Sequence, residues 1–194
     1  MSNTKKQTQN IAILGIFSAI IVVLQLMSYF IKIGTFNLSL VLIPVVLGAY
    51  LYGAKVGAIL GGVFGLTVTL CCFTGLDGGG YLLIQANPVI TSLICIIKGV
   101  AAGFFAGLTA NAFKVKKSYL GIMLTAIVAP VVNTGLFVSA MFIFFKDILA
   151  QWAGGTNVVT YAIVGLVGVN FIIELVINIA MAPAMLRISK ALKI

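Results

Sequence analysis

Histidine is absent from this chain, and acidic residues number only three: Asp77, Asp147 and Glu174. The first absence excludes His-ligated haem, His-based zinc sites and histidine general bases. The second leaves one carboxyl, Glu174, inside an apolar segment, whereas acid/base enzymes usually oppose two groups of different pKa. There is no G-x-x-x-x-G-K-[ST] loop, so the chain does not hydrolyse ATP by that route, and neither G-x-S-x-G nor H-E-x-x-H occurs. Cysteine is equally scarce. Cys71 and Cys72 are adjacent and would pair only with strain, and with Cys95 they make no metal framework. They read as small buried apolar residues. No enzyme, metal or cofactor is expected.

What the chain has instead is hydrocarbon. Of its 194 residues 62% are hydrophobic and only 8% charged, with a mean hydropathy of +1.24. Apolar runs of about 20 residues between short charged breaks are the mark of helices crossing a bilayer core roughly 30 Å thick. The fold class expected is an all-α integral membrane protein, one compact domain over 1–194 with six transmembrane helices. The expected spans are 11–31, 39–54, 56–74, 88–112, 119–145 and 158–186. The second is short and holds Pro44, which favours a tilt or kink. The N-terminal run shows no convincing cleavage site and reads as a retained first span.

The net charge of +9 follows topology rather than nucleic acid, because the basic residues form no single stripe. Alternate breaks place Lys5, Lys6, Lys55, Lys114, Lys116, Lys117, Arg187, Lys190 and Lys193 on one side, and Lys32 and Lys146 on the other. Basic residues concentrate on cytoplasmic loops, so both termini are expected inside and the 75–81 loop, with its run Gly78–Gly79–Gly80, outside. Glycines at 57, 61 and 65 and at 99, 103 and 107, the latter beside Ala102, Ala106 and Ala110, predict faces where helix backbones approach closely. Ala12, Gly15 and Ala19 form a further small row, open to internal packing or to docking by another membrane protein.

Polar residues inside the spans carry the functional argument. Counted from the nearest basic break at 1.5 Å per residue, Lys98, Asn133, Asn170 and Glu174 all lie roughly 20–25 Å deep. Asn170, Glu174 and Asn178 share one helical face, and Asn87, Thr91 and Lys98 share another. Gln25 and Tyr29 are one turn apart in the first span. A charge at mid-bilayer costs about 2.5–3.5 kcal/mol and almost always faces a partner or a wet cavity. Either Lys98 and Glu174 form a structural ion pair tied in by asparagines, or these groups line a solute cavity with Gln85 and Asn87 at its mouth. In the second case Trp152, Tyr81 and Tyr29 offer stacking surfaces, and the glycine run lets the outer loop move. A self-sufficient proton-coupled carrier using Lys98 and Glu174 is the alternative transport reading.

The segments "FNLSLVLIPVVLGAYLYGAKVGAILG" (36–61), "KGVAAGFFAGL" (98–108), "VVNTGLF" (131–137), "NFIIELVIN" (170–178) and "MAPAM" (181–185), with the row Ala12–Gly15–Ala19, resemble the substrate-binding S components of energy-coupling factor (ECF) transporters. The likeness spans the whole chain and is nearest the riboflavin-transporter-like branch. It implies a prokaryotic plasma-membrane protein that binds a vitamin or related micronutrient from outside, riboflavin or another water-soluble vitamin. It also implies a transmembrane T component and two ATPase subunits as partners, docked through Ala12, Gly15 and Ala19. Gly15 stands where alanine is usual, which keeps the surface small. The implied solute contacts are Lys98, Asn133, Asn170 and Glu174, then Asn87, Gln85 and Asn178.

Overall fold

The computed structural model describes residues 3–30, 32–33, 36–37, 40–112 and 119–191. The basic run at 114–118 and Lys193 lie outside them. Helix α1 (Asn3–Ser28) is followed by a short antiparallel hairpin, β1 (Lys32–Ile33) and β2 (Phe36–Asn37), which pairs Lys32 with Asn37 and Ile33 with Phe36. Then come α2 (Leu42–Tyr52), α3 (Ala54–Thr74), α4 (Gly78–Ala86), α5 (Pro88–Ala112), α6 (Tyr119–Phe144) and α7 (Lys146–Ala153). A final helical run opens with α8 (Val158–Thr160), widens into a π-helix (Tyr161–Gly168) and continues as α9 (Val169–Ala191). Five helical stretches are long and apolar enough to cross a membrane, and α2 is a sixth, shorter apolar helix.

The ends of these helices have local causes. Gly53, with φ at +87°, separates α2 from α3, and Gly75, in the left-handed region at φ +79°, stops α3. The Gly78–Gly80 run departs from the expected mobile loop. Asp77 caps it, its Oδ1 accepting from the Gly80 N–H at 2.9 Å, so the three glycines form the first turn of α4. The break at 146–157 is likewise mostly helix, α7, held by buried Leu149 and Ala153.

The core forms around α3 and α5. Their glycine rows face each other: a methyl placed on Gly61 would run into the Gly99 carbonyl, and one on Gly103 into that of Gly57. Gly65 meets the backbone at Cys95 and Ile96, and Gly107 that of Ala54. Backbone touches backbone along nearly the whole crossing, which is how helices associate where lipid removes the hydrophobic drive. Around this seam pack Leu42, Val45 and Val46 of α2, Ile122 and Ala126 of α6, and Ala182 and Met185 of α9. A second cluster, Leu83, Met141, Phe145, Leu149 and Ala162, ties α4 and α7 to the π-helix. Buried hydroxyls are satisfied locally: Thr67, Thr69 and Thr125 each donate to the carbonyl one turn back at 2.8 Å.

Gly103→Ala is expected to destabilise the detergent-purified protein by at least about 1–3 kcal/mol, because backbone has no rotamer with which to yield. Gly135→Ala, at an exposed helical site with no atom within 4 Å, should leave the melting temperature unchanged or slightly raised. Thermal melts of the two variants beside the parent chain check the seam.

Candidate functional site

Between α3, α5, α6 and the last helical run lies a cavity of about 300 Å³, walled also by the end of α1 and by α4 and α7. That volume is at the small end of the range of about 300–1,000 Å³ typical of small-molecule sites. Much of the lining is apolar and aromatic, including Phe64, Phe137, Phe145, Trp152 and Phe171.

Each wall presents its groups for an identifiable reason. Alongside the glycine seam, α3 offers Phe64, Val68 and Cys72 and α5 offers Thr91, Ile94, Cys95 and Lys98. In α6, Pro130 lacks the N–H that would close the helical ladder, one turn before Asn133 and Thr134 enter the cavity wall. The π-helix widens the approach to α9, and Leu166, Asn170 and Glu174 follow one another at intervals of four residues along the lining. π-Helical segments concentrate at functional positions.

Four of the residues singled out from the sequence, Lys98, Asn133, Asn170 and Glu174, are brought together here from three helices. Among the described residues no salt bridge joins Lys98 to Glu174. The Lys98 Nζ instead stands 4.9 Å from the centre of the Phe137 ring. Glu174 is buried, and among the described residues its carboxyl has no hydrogen-bond partner; only its backbone carbonyl is engaged, by Asn178. Asn133 is buried, and among the described residues its Oδ1 has no partner. The cavity thus holds a cation, a carboxyl and amides whose bonding capacity is largely unspent.

Three other candidates lie outside the lining, each for a local reason. Gln85 is on the exposed face of α4. The Asn87 side chain caps α5, its Oδ1 accepting from the Ile90 N–H at 3.0 Å. Asn178 is fully buried, and its Nδ2 donates to the Glu174 carbonyl at 2.9 Å. Tyr81 is largely exposed and also lies outside the wall, whereas Trp152 and Tyr29 belong to it.

The cavity also contains groups that depth counting does not assign. Gln25 Nε2 donates to the Tyr29 hydroxyl at 2.8 Å, and that hydroxyl donates to Asp77 Oδ2 at 3.4 Å. This chain of bonds runs from α1 to the cap of α4 along the cavity wall. The i, i+4 spacing of Gln25 and Tyr29 is the only sequence signal for it; nothing in the chain pairs them with Asp77.

Ala12, Gly15 and Ala19 are all exposed, as are Ile11, Ile16, Ile20 and Val23 beside them, and no atom comes within 4 Å of a methyl built on Gly15. Internal packing therefore does not account for this small-residue row. It marks an open strip along α1.

Comparison with known proteins agrees with this architecture. The family model described as ECF transporter, substrate-specific component matches residues 9–186. The chain is also similar to the pantothenic acid transporter PanT of Lactococcus lactis subsp. cremoris, 28% identical over 191 residues that cover 93% of each chain. That relative is named for pantothenic acid rather than riboflavin. With a family match over nearly its entire length and a cavity enclosed by apolar helices, the chain belongs to the substrate-specific components of ECF transporters, multi-pass proteins of the bacterial plasma membrane that bind a vitamin-type solute and are not enzymes.

Proposed function

We propose that the chain captures pantothenic acid, or a close hydroxy-acid amide, from outside the cell for an ECF importer. The observation that carries this reading is Lys98, a cation in the cavity wall with a ring beneath it and no salt bridge to Glu174. Pantothenate brings what such a wall needs: one carboxylate for Lys98, and an amide and two hydroxyls for Asn133, Asn170 and Glu174. Ionised groups drawn together in a poorly solvated site interact far more strongly than in water. Riboflavin, being uncharged, would leave Lys98 unpaired, and the similarity to PanT also favours pantothenic acid.

In this reading all six apolar helices lie in the membrane, α2 being the short one. Both termini face the cytoplasm, as the nine-to-two distribution of basic residues favours. The cavity opens outward under α4 and α7. A transmembrane T component and two ATPases supply the energy, and the T component docks on the strip of Ala12, Gly15 and Ala19. A flat surface of small side chains suits close helix contact inside lipid.

The only tryptophan in the chain, Trp152, lines the cavity, so binding is expected to change its fluorescence. Titration of the purified protein with pantothenate should saturate at one site. Lys98→Ala should weaken binding by roughly 100-fold, the effect of truncating one partner of a buried charge pair, with the fold intact by thermal melt. Saturation by riboflavin without any response to pantothenate would reverse the substrate assignment.

The docking strip has its own signature. Gly15→Leu combined with Ala19→Leu should leave pantothenate affinity unchanged within about twofold while abolishing uptake in cells that supply the T component and ATPases. Uptake that survives, or that proceeds in vesicles holding this chain alone under a pH gradient, would remove the partner from the account.

A further inference from the structure

Resting on the substrate reading above, we infer that Gln25 is a specificity-determining residue whose side-chain oxygen accepts a hydrogen bond from a hydroxyl of the bound solute. Gln25 sits near the end of α1, only 5% exposed, and lines the cavity. Its Oε1 is one of three buried side-chain atoms without a partner among the described residues.

The direction of the neighbouring bonds fixes what that oxygen requires. The Asp77 carboxylate is an acceptor; it takes the Gly80 N–H at 2.9 Å on one oxygen and the Tyr29 O–H at 3.4 Å on the other. With its proton directed to Asp77, the Tyr29 oxygen accepts from the Gln25 amide nitrogen at 2.8 Å. In this arrangement the amide presents its nitrogen to Tyr29. Its oxygen is the end left over. Ser28, the nearest hydroxyl on the same helix, does not supply the missing donor, because its Oγ donates to the Gln25 backbone carbonyl at 2.7 Å.

A buried acceptor that the protein leaves unsatisfied is a poor host for an apolar group and a good one for a donor. Gln25, Ser28, Tyr29, Asp77 and the Gly80 turn form one polar part of the lining, apart in sequence from Lys98, Asn133, Asn170 and Glu174. That part suits the hydroxylated end of an anionic solute whose carboxylate meets Lys98. A site built around a ligand hydroxyl rejects the analogue that lacks it, since both partners then lose their bond. Discrimination between hydroxylated and deoxygenated solutes therefore runs through α1 as well as through α6 and α9.

The test is a thermodynamic cycle on the full chain in detergent, with pantothenate and its two mono-deoxy analogues titrated by calorimetry. Removing the contacted hydroxyl should cost the wild type roughly 10–100-fold in affinity. Gln25→Leu should lose a similar factor for pantothenate, yet distinguish that analogue from pantothenate by less than about threefold. Ser28→Ala, which removes a neighbouring hydroxyl but keeps the glutamine and its bond to Tyr29, controls for a purely structural effect and should retain the discrimination. If Gln25→Leu discriminates as the wild type does, or if Ser28→Ala erases discrimination equally, the specificity role is overturned. If Gln25→Leu does not fold, Gln25→Met, closer in length and without the acceptor, decides by the same ratio. Failure of the wild type to bind pantothenate at all is a separate outcome; it overturns the substrate reading and this inference with it.

Discussion

Everything in this molecule is hung on the contact between the backbones of α3 and α5. Inside lipid an apolar side chain gains nothing by leaving hydrocarbon for protein, so association rests on packing distance and backbone complementarity. Gly57, Gly61 and Gly65 against Gly99, Gly103 and the Cys95 carbonyl supply both. The glycine contacts run out at Gly65. Beyond it Val68 and Cys72 of α3 and Thr91 of α5 stand in the cavity wall, where side chains rather than bare backbone define the surface. A seam tight over most of its length thus leaves a lined space near one end.

The polar groups divide along the same boundary. Away from the cavity, hydroxyls of Thr67, Thr69 and Thr125 are spent on their own helices, and the Asn178 amide on the Glu174 carbonyl. Within the wall more is left open. Among the described residues Gln25 and Asn133 each keep an unpartnered oxygen, as buried Asn178 also does outside it, and Lys98 rests over a ring instead of on a carboxylate. Leaving such groups unspent is costly in a membrane. A protein optimised only to stand in lipid would pair Lys98 with Glu174. The observed arrangement leaves that capacity open, which supports the binding role proposed for this wall.

Hydropathy made the long helices legible, since Pro88–Ala112 and Tyr119–Phe144 end within a residue of the segments read from apolar runs. The four-residue glycine period likewise foretold which faces would meet. Depth counting brought Lys98, Asn133, Asn170 and Glu174 to one level because straight helices keep a constant rise. Asn87 and Asn178, singled out by the helical faces they share with Lys98 and Glu174, lie outside the lining, and their amides serve their own chain through a cap and a back-bond that face counting cannot register. Depth counting gave no access to Gln25, Tyr29 and Asp77, whose meeting depends on how the end of α1 packs over a turn nearly fifty residues away. The Gly78–Gly80 run reads as a hinge by composition. Asp77 makes it a helix start, because a side-chain cap outweighs the low propensity of three glycines when their first N–H groups need an acceptor.

Helix α1 shows how two surfaces coexist on one element. Ala12, Gly15, Ala19 and Ile20 face outward, while Ile21 and Gln25 are buried against the rest of the bundle. Six residues separate Ala19, the nearest of the strip, from Gln25, about 9 Å along a helix, and ten separate Gly15, about 15 Å. Ala12, Gly15 and Ala19 are exposed and none of them lines the cavity. Under the docking role proposed for the strip and the binding role proposed for Gln25, substitution on one face alters one function at a time. That separation would let a strip suited to a fixed partner remain while the cavity beside it is shaped to a particular solute.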